Sequence, residues 1–192
     1  MKERKYKKEY RVVTRIDPRT GRERRNTEYV GALHRFPEGS PSPRRRAIRL
    51  SVPLALYWLA TLAYLKTAGA TGRCMYALVP FLPGLFPGVY GTMGLVSMLR
   101  APECMTVVQR ENGVGRLMRC GLGCGAFSTL GTVGAVVFLC VSGQWTASWH
   151  EPLLMALAAA AGWMLFARSR ADYHALEAIP GDASRKAESR EP

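Results

Sequence analysis

The chain has 192 residues, and its 27 lysines and arginines exceed its 14 aspartates and glutamates to give a formal net charge of +13. The mean hydropathy is close to zero, as in an ordinary soluble protein, but it averages a basic beginning, an apolar middle and a polar end and so describes none of them. Nucleic-acid binding is not expected, because the basic residues flank the apolar segments as membrane topology requires.

The amino-terminal segment, residues 1–46, is polar and basic. Within it, the residues of "YRVVTRI" alternate between two faces of an extended strand, so that Tyr10 and Ile16 lie on the same face. The turn sequence "DPRTG" follows, and its proline and glycine favour a reversal of the chain. This pattern predicts a small β-hairpin on the cytoplasmic side over residues 10–36. A disordered basic arm is the alternative, because an isolated two-stranded hairpin is only marginally stable.

Residues 37–46 are predicted to be a linker, since they are rich in proline and serine. The linker ends in a cluster of arginines beside the first apolar segment, where a bilayer would present its head groups. Such a cluster attracts anionic lipids by about 1 kcal/mol per basic residue. The arginines expected to contact anionic lipid head groups are Arg44, Arg45, Arg46 and Arg49.

Four apolar segments follow, and each predicts a transmembrane helix. A span needs about 20 apolar residues at a rise of about 1.5 Å each, and the first three segments reach this length. The fourth is shorter, so three spans and a surface helix are one alternative. A soluble bundle of four buried helices is another, although these segments lack the polar stripe of such helices. The predicted spans are about 50–68, 77–99, 117–141 and 151–167.

The fold class that follows is an all-α integral membrane protein. Its transmembrane domain is a bundle of four helices over residues 47–168, preceded by the hairpin or basic arm and followed by a polar cytoplasmic tail at 169–192. The first span has the basic flank of a signal sequence, but more than 40 residues precede it, so a retained signal anchor is expected.

The distribution of basic residues predicts the orientation. Residues 1–50 contain 16 lysines and arginines, 100–119 contain four and 168–192 contain five, whereas only Lys66 and Arg73 lie between the first two spans. By the positive-inside rule, both termini are expected on the cytoplasmic side of a multi-pass protein in the cytoplasmic (plasma) membrane.

The second predicted span is crowded with prolines and glycines. Each proline removes a backbone donor, so the outer half of this span should be irregular and should face protein or water rather than lipid. Small residues recur at helical spacing in the second and third spans, which lets helix backbones approach each other. The residues expected to pack helices or to line a cavity are Pro80, Pro83, Gly84, Pro87, Gly88, Gly91, Gly94, Gly121, Gly125 and Ser128.

The loop between the second and third spans predicts a short interfacial helix over about residues 102–111. Pro102 suits the first turn of a helix, and the pair Asn112-Gly113 suits its end. Alternatively, the Asn-Gly pair is the centre of a small hairpin.

No catalytic residue, metal ligand or cofactor is predicted. No Asp, Glu or His lies within the apolar cores of the four segments, although such a residue marks most proton- or sodium-coupled transporters. The three histidines fall on both sides of the predicted membrane and cannot form one metal site. Cys74 and Cys140 fall at the outer ends of the second and third spans, and they could form a disulfide if these spans are neighbours.

These features favour a non-enzymatic interaction or accessory subunit of a membrane complex. Its partners would be the bilayer with its anionic head groups, and another membrane protein or a second copy of the chain. The alternative is a small transporter or channel whose substrate path follows the interrupted second span. A membrane enzyme ranks third, because no nucleophile with a base and no metal constellation is visible.

Overall fold

The computed structural model describes residues 10–16 and 23–179 of the chain. This part is mostly helical, and four of its helical segments are long and apolar enough to cross a membrane. In chain order the helical elements are α1 (Pro43–Thr67), α2 (Met75–Phe81), a 3-10 turn (Leu82–Gly84), α3 (Leu85–Leu99), α4 (Val107–Arg110), a π-helical turn (Glu111–Gly115), α5 (Arg116–Ser142), α6 (Trp145–Ser148) and α7 (His150–His174).

The prediction of four helices of spanning length is confirmed, and the helices are longer than the apolar cores. α1 begins at Pro43, inside the stretch predicted to be a linker, because proline is well accepted in a first helical turn. α7 has 25 residues, so the segment that looked shortest in apolar residues is a helix of full spanning length. The extra turns carry arginines, whose long side chains reach water from the end of an apolar helix.

The amino-terminal hairpin is also confirmed in its two strands. β1 (Tyr10–Ile16) and β2 (Glu23–Tyr29) are antiparallel, with Tyr10 opposite Tyr29 and Ile16 opposite Glu23. The predicted turn sequence lies outside the described residues. The prediction that the hairpin continues to residue 36 is wrong, because β2 ends at Tyr29.

The residues after the hairpin pair with the other end of the chain instead. β3 (Leu33–Arg35) is antiparallel to β4 (Glu177–Ile179), and His34 exchanges two backbone hydrogen bonds of 2.7 and 2.8 Å with Met105. The chain before α1, the loop after α3 and the chain after α7 therefore meet at one end of the bundle. We call this the basic end, and the opposite one, where α1 ends and α7 begins, the far end.

The predicted interfacial helix at residues 102–111 is wrong at both of its ends. Helix α4 starts after Thr106, whose hydroxyl accepts the Gln109 amide at 3.3 Å while the Gln109 side chain accepts the Thr106 amide at 3.0 Å, a capping box. The Asn112-Gly113 pair does not stop the helix or form a hairpin. It lies in the π-helical turn that leads directly into α5, where Gly113 packs on Met98.

The four segments pack around two apolar clusters, one in each half of the bundle. The cluster of the far half includes Tyr57, Phe81 and Met155, and the cluster of the basic half includes Leu117 and Leu165. α5 lies at the centre, since it packs on α2, α3 and α7, while α1 packs on α3 and α7. The expected contact between the second and third spans exists, but the backbones of α5 and α7 also come together, which the sequence analysis did not foresee.

Candidate functional site

The second predicted span is interrupted in the structure, within the segment where its prolines are concentrated. Helix α2 gives way to a 3-10 turn at Leu82–Gly84 before α3 begins. Pro80, Pro83 and Pro87 have no N–H, so the carbonyls four residues before them lose their usual helical donor. The backbone nevertheless stays in the right-handed helical region through Leu85. The span is therefore tightened at this point and not broken open.

A side chain of α1 satisfies the backbone at the interruption. The Tyr57 hydroxyl donates a hydrogen bond of 2.8 Å to the Gly84 carbonyl, and the Cys124 sulfur of α5 lies 3.9 Å from the same oxygen. Tyr57 is only 1% exposed. Gly84 is the residue before α3, so its carbonyl also accepts the first helical hydrogen bond of α3. The Tyr57 hydroxyl therefore adds a direct link between α1 and the turn.

The glycines of the second span face α1 and α5. A methyl group at Gly88 would lie 2.9 Å from the Tyr57 ring and 3.1 Å from the Trp58 ring, and one at Gly84 would lie 3.2 Å from the Tyr57 hydroxyl. One at Gly91 would lie 3.5 Å from both Leu54 and Cys120. The same holds one turn later at Gly94, where Leu117 lies 3.3 Å away. Side chains of this chain thus occupy the space in front of all four glycines.

The predicted small residues of the third span divide between two contacts. Ser128 belongs with the second span, because its hydroxyl lies 4.0 Å from the position of a Gly84 Cβ. Gly121 and Gly125 face α7 instead. A methyl group at Gly121 would lie 2.6 Å from the Phe166 amide nitrogen, and one at Gly125 would lie 2.9 Å from the Trp163 ring.

Sequence reasoning missed further glycines at these contacts, among them Gly131, Gly134 and Gly162. A methyl group at Gly162 of α7 would lie 2.5 Å from the Gly125 amide nitrogen, so the two backbones touch. A methyl group at Gly134 would overlap the Tyr76 carbonyl oxygen, one of those that proline deprives of a donor, and Gly131 faces Phe81. The three-residue spacing of Gly131 and Gly134 was a visible signal, whereas Gly162 stands alone among alanines.

Two buried hydroxyls lie beside the Tyr57 hydroxyl near the interruption. Thr61 of α1 and Ser128 of α5 are both 0% exposed, and neither side-chain oxygen has hydrogen-bonding geometry to any residue that the structure describes. Thr61 lies one turn beyond Tyr57 on the same face of α1. A buried hydroxyl without a partner costs about 1–3 kcal/mol. These two oxygens, the Tyr57 hydroxyl and the Gly84 carbonyl make a polar spot inside an apolar bundle.

The far end contains a buried carboxylate that the sequence analysis did not single out. Glu151 is 1% exposed in the first turn of α7. It accepts hydrogen bonds from the Thr71 amide at 2.9 Å, from the Gly69 amide at 3.2 Å and from the Thr71 hydroxyl. The Tyr64 hydroxyl lies 3.3 Å from that threonine hydroxyl. Glu151 thus fastens the loop between α1 and α2 to α7, and its place in a first helical turn was the available signal.

At the basic end, the four predicted lipid-contact arginines are not equivalent. Arg46 forms an ion pair with Asp172 of α7, and its guanidinium lies 4.1 Å from the centre of the Phe36 ring. Arg44, Arg45 and Arg49 are exposed. Arg46 therefore joins the start of α1 to the end of α7, and the other three remain available to a head group.

A second polar cluster surrounds the π-helical turn at this end. The Tyr173 hydroxyl donates a hydrogen bond of 2.6 Å to the Glu111 carboxylate, which also pairs with Arg119 at 3.0 Å. The Arg110 guanidinium lies 4.1 Å from the centre of the Tyr173 ring. Hydrogen bonding to the Glu111 carboxylate and partial burial raise the pKa of Tyr173. These contacts fix the end of α7 against the start of α5.

The cysteines considered for a disulfide are both free thiols in the structure. Cys74 is buried in the far-half cluster with Ala135, whereas Cys140 is exposed near the end of α5. The bridge is not formed in this arrangement, and it stays a prediction that alkylation without reductant can check.

The described part of the chain holds no group of three or more histidine, cysteine, aspartate or glutamate side chains that could bind a metal. His34 is on β3, and His150 and His174 stand at opposite ends of α7. Comparison with protein-family models, with curated proteins and with solved structures gave no match to this chain. Its function must therefore be argued from its own residues.

Proposed function

We propose that the protein is a non-enzymatic interaction or accessory subunit of a membrane complex. It would be a multi-pass protein of the cytoplasmic (plasma) membrane, with both termini in the cytoplasm. The observation that carries this proposal is the occupied face of the second span. Tyr57, Trp58 and Leu54 fill the space in front of its glycines, which supports a bundle built for packing rather than for passage.

The placement of basic residues supports the proposed orientation. The basic end gathers the arginine cluster in the first turns of α1, the loop after α3 and the arginines that end α7, while Lys66 and Arg73 are at the far end. The positive-inside rule assigns such an end to the cytoplasm. Trp145 and Trp149 are exposed at the far end, where tryptophans anchor helices in a membrane interface.

The amino-terminal hairpin is the element that we assign to partner binding. It connects to the bundle at Tyr29, whose hydroxyl donates to the Ala32 carbonyl at 2.9 Å and accepts the Val107 amide at 3.3 Å. Val12 on β1 is 63% exposed. A two-stranded sheet has two open edges and is stabilised when another strand or surface covers it.

Truncation tests this assignment. Residues 1–28 should be removed and Tyr29 kept, because β3 and Phe36 belong to the folded basic end. Deleting only 181–192 gives a control, and both variants keep Arg44, Arg45, Arg46 and Arg49, which orient α1. After mild detergent extraction and native mass spectrometry, we expect the full chain and the control to retain a partner or a second copy. The 1–28 deletion should lose it. A full-length chain that is monomeric and alone, or a deletion that keeps its partner, would refute the proposal.

The second candidate is a small transporter or channel, and the unpaired hydroxyls of Thr61 and Ser128 are the observation that favours it. Polar groups at an interrupted helix are where transporters bind their substrates. Liposomes that contain the purified protein and KCl provide a test for the channel form. If the protein is a channel, the liposomes should release KCl, and the double substitution Thr61→Val and Ser128→Ala should change the rate of release. If it is a packed bundle, no KCl should be released. A bulky residue at Gly88 is unsuitable for this test, because it would collide with Tyr57 and Trp58.

A further inference from the structure

A half-open groove of about 470 Å³ lies between α1 and α7 at the basic end. This volume is within the range of about 300–1,000 Å³ that is usual for ligand pockets. Each helix contributes three residues at positions i, i+3 and i+4, which share one helical face. The lining residues are Arg46, Arg49 and Leu50 of α1 and Arg168, Ala171 and Asp172 of α7.

The groove carries a net positive charge that none of the described residues neutralises. Its single carboxylate, Asp172, is paired with Arg46. Arg49 and Arg168 are both exposed and form no hydrogen bond or ion pair with any residue that the structure describes. Two guanidinium groups from different helices thus face one space. Arginine recognises phosphate through paired N–H donors, which gives both strength and geometry.

The depth of the groove matches a lipid head group. α1 and α7 run antiparallel, and Arg46 pairs with Asp172, so the next turn of α1 lies opposite Arg168. Arg49 immediately precedes the apolar run of α1, and Arg168 immediately follows that of α7. Both unpaired arginines are therefore at the polar boundary of the proposed membrane.

An apolar surface continues from the groove toward the far end. Met164 lies one turn from Arg168 on the same face of α7 and is 40% exposed. The floor of the groove includes Leu50 and Ala171. A free phosphate ion would gain nothing from these side chains, whereas the acyl chain attached to a phospholipid phosphate would lie along them.

We infer that this groove binds one anionic phospholipid, with its phosphate between Arg49 and Arg168 and an acyl chain along Met164. The inference rests on the membrane location proposed above. It goes beyond general attraction of basic residues to a membrane surface, because it assigns the contact to two arginines from different helices. It also separates them from Arg44 and Arg45, which do not line the groove.

Native mass spectrometry of the full chain in mild detergent tests the site, with phosphatidylglycerol, phosphatidylcholine or inorganic phosphate added in turn. The variants are the pair Arg49→Gln and Arg168→Gln, and the matched control pair Arg44→Gln and Arg45→Gln, which removes the same charge. We expect one bound phosphatidylglycerol in the wild type, with affinity reduced about tenfold or more in the groove pair and less than about threefold in the control. Arg168→Lys should show an intermediate loss, because lysine keeps the charge without the paired donors.

Several outcomes would overturn the inference. Equal losses in the two pairs would mean attraction by charge alone. Equal retention of phosphatidylcholine, whose phosphate is balanced by a choline cation, would mean that the groove does not select an anionic lipid. Displacement of the lipid by millimolar inorganic phosphate would identify a site for a soluble anion. Alkaline extraction of membranes separates failure of this inference from failure of the proposed function, because a chain that is released into solution would contradict the membrane location itself. A thermal midpoint equal to that of the wild type shows that the groove pair is folded.

Discussion

The Tyr57 hydroxyl links α1 to the proline-rich segment, because it donates to the Gly84 carbonyl at 2.8 Å. The substitution Tyr57→Phe removes this donor and keeps the ring. We expect it to destabilise the protein by about 0.5–1.5 kcal/mol, since one buried hydrogen bond between α1 and the turn is lost. Tyr90→Phe is the control, because Tyr90 is exposed on α3. Thermal unfolding in detergent should show a lower midpoint for Tyr57→Phe only, and equal midpoints for both variants would contradict the assignment.

Gly162 is the residue at which α7 meets α5 most closely. The substitution Gly162→Leu places side-chain atoms where the Gly125 backbone lies, 2.5 Å from the position of the added Cβ. Overpacking of this kind costs about 1–3 kcal/mol or more. Ala160→Leu adds similar bulk to an exposed position on the same helix and should be tolerated. We expect aggregation or a lowered midpoint in size-exclusion measurements after heating for Gly162→Leu alone. If both variants behave like the wild type, the close contact is not formed.

At the scale of elements, the far-end loop between α1 and α2 depends on one carboxylate. Glu151→Gln removes the charge and keeps only one acceptor oxygen, so either the Thr71 amide or the Gly69 amide loses its acceptor and faces an NH₂ donor. Hydrogen bonds to charged groups contribute about 1.5–3 kcal/mol, so local opening of the loop should increase about tenfold or more. Hydrogen exchange of peptides covering residues 66–74 measures this opening.

The control for that experiment is Glu103→Gln, which changes an exposed glutamate at the basic end. It should leave exchange at residues 66–74 unchanged. Unchanged exchange in Glu151→Gln as well would mean that the carboxylate does not hold the loop.

The elements that could be predicted from the sequence are those whose signal is local. Long apolar runs predicted the four helices. The side chains that alternate between two faces before the turn sequence "DPRTG" predicted β1 and β2. The start of α4 also has a local signal, the capping box of Thr106 and Gln109, whereas Pro102 indicates a helix start that lies too early in the chain. The prolines correctly indicated an irregular second span, although its 3-10 turn is milder than a break.

The elements that were missed depend on pairing across the chain. β4 has three residues, too few for any periodicity, and exists because it pairs with β3 at the other end of the sequence. Gly162 matters only because Gly125 lies opposite, and Glu151 matters only because Thr71 and Gly69 present their amides to it. The two members of such a pair are far apart in the sequence, so no local pattern can reveal both.

On the scale of the whole molecule, two polar contacts link α7 to the start of α1 and to the loop that directly follows α1. Arg46 meets Asp172 at the basic end, and Gly69 meets Glu151 at the far end. At a rise of about 1.5 Å per residue, these contacts are roughly 32–35 Å apart along the helices. This separation fits a hydrocarbon core of about 30 Å with its polar groups just outside it.

Labelling of single cysteines from the two sides of the membrane examines the proposed arrangement most directly. In a variant without the five native cysteines, one cysteine replaces Trp145, which is exposed at the far end, and in a second variant one replaces Glu177, which is exposed at the basic end. Intact cells expressing each variant are treated with a membrane-impermeant maleimide, with and without permeabilisation. We expect Trp145→Cys to react in intact cells and Glu177→Cys to react only after permeabilisation. Reaction of both in intact cells, or of Trp145→Cys only after permeabilisation, would contradict a four-span protein with its basic end in the cytoplasm.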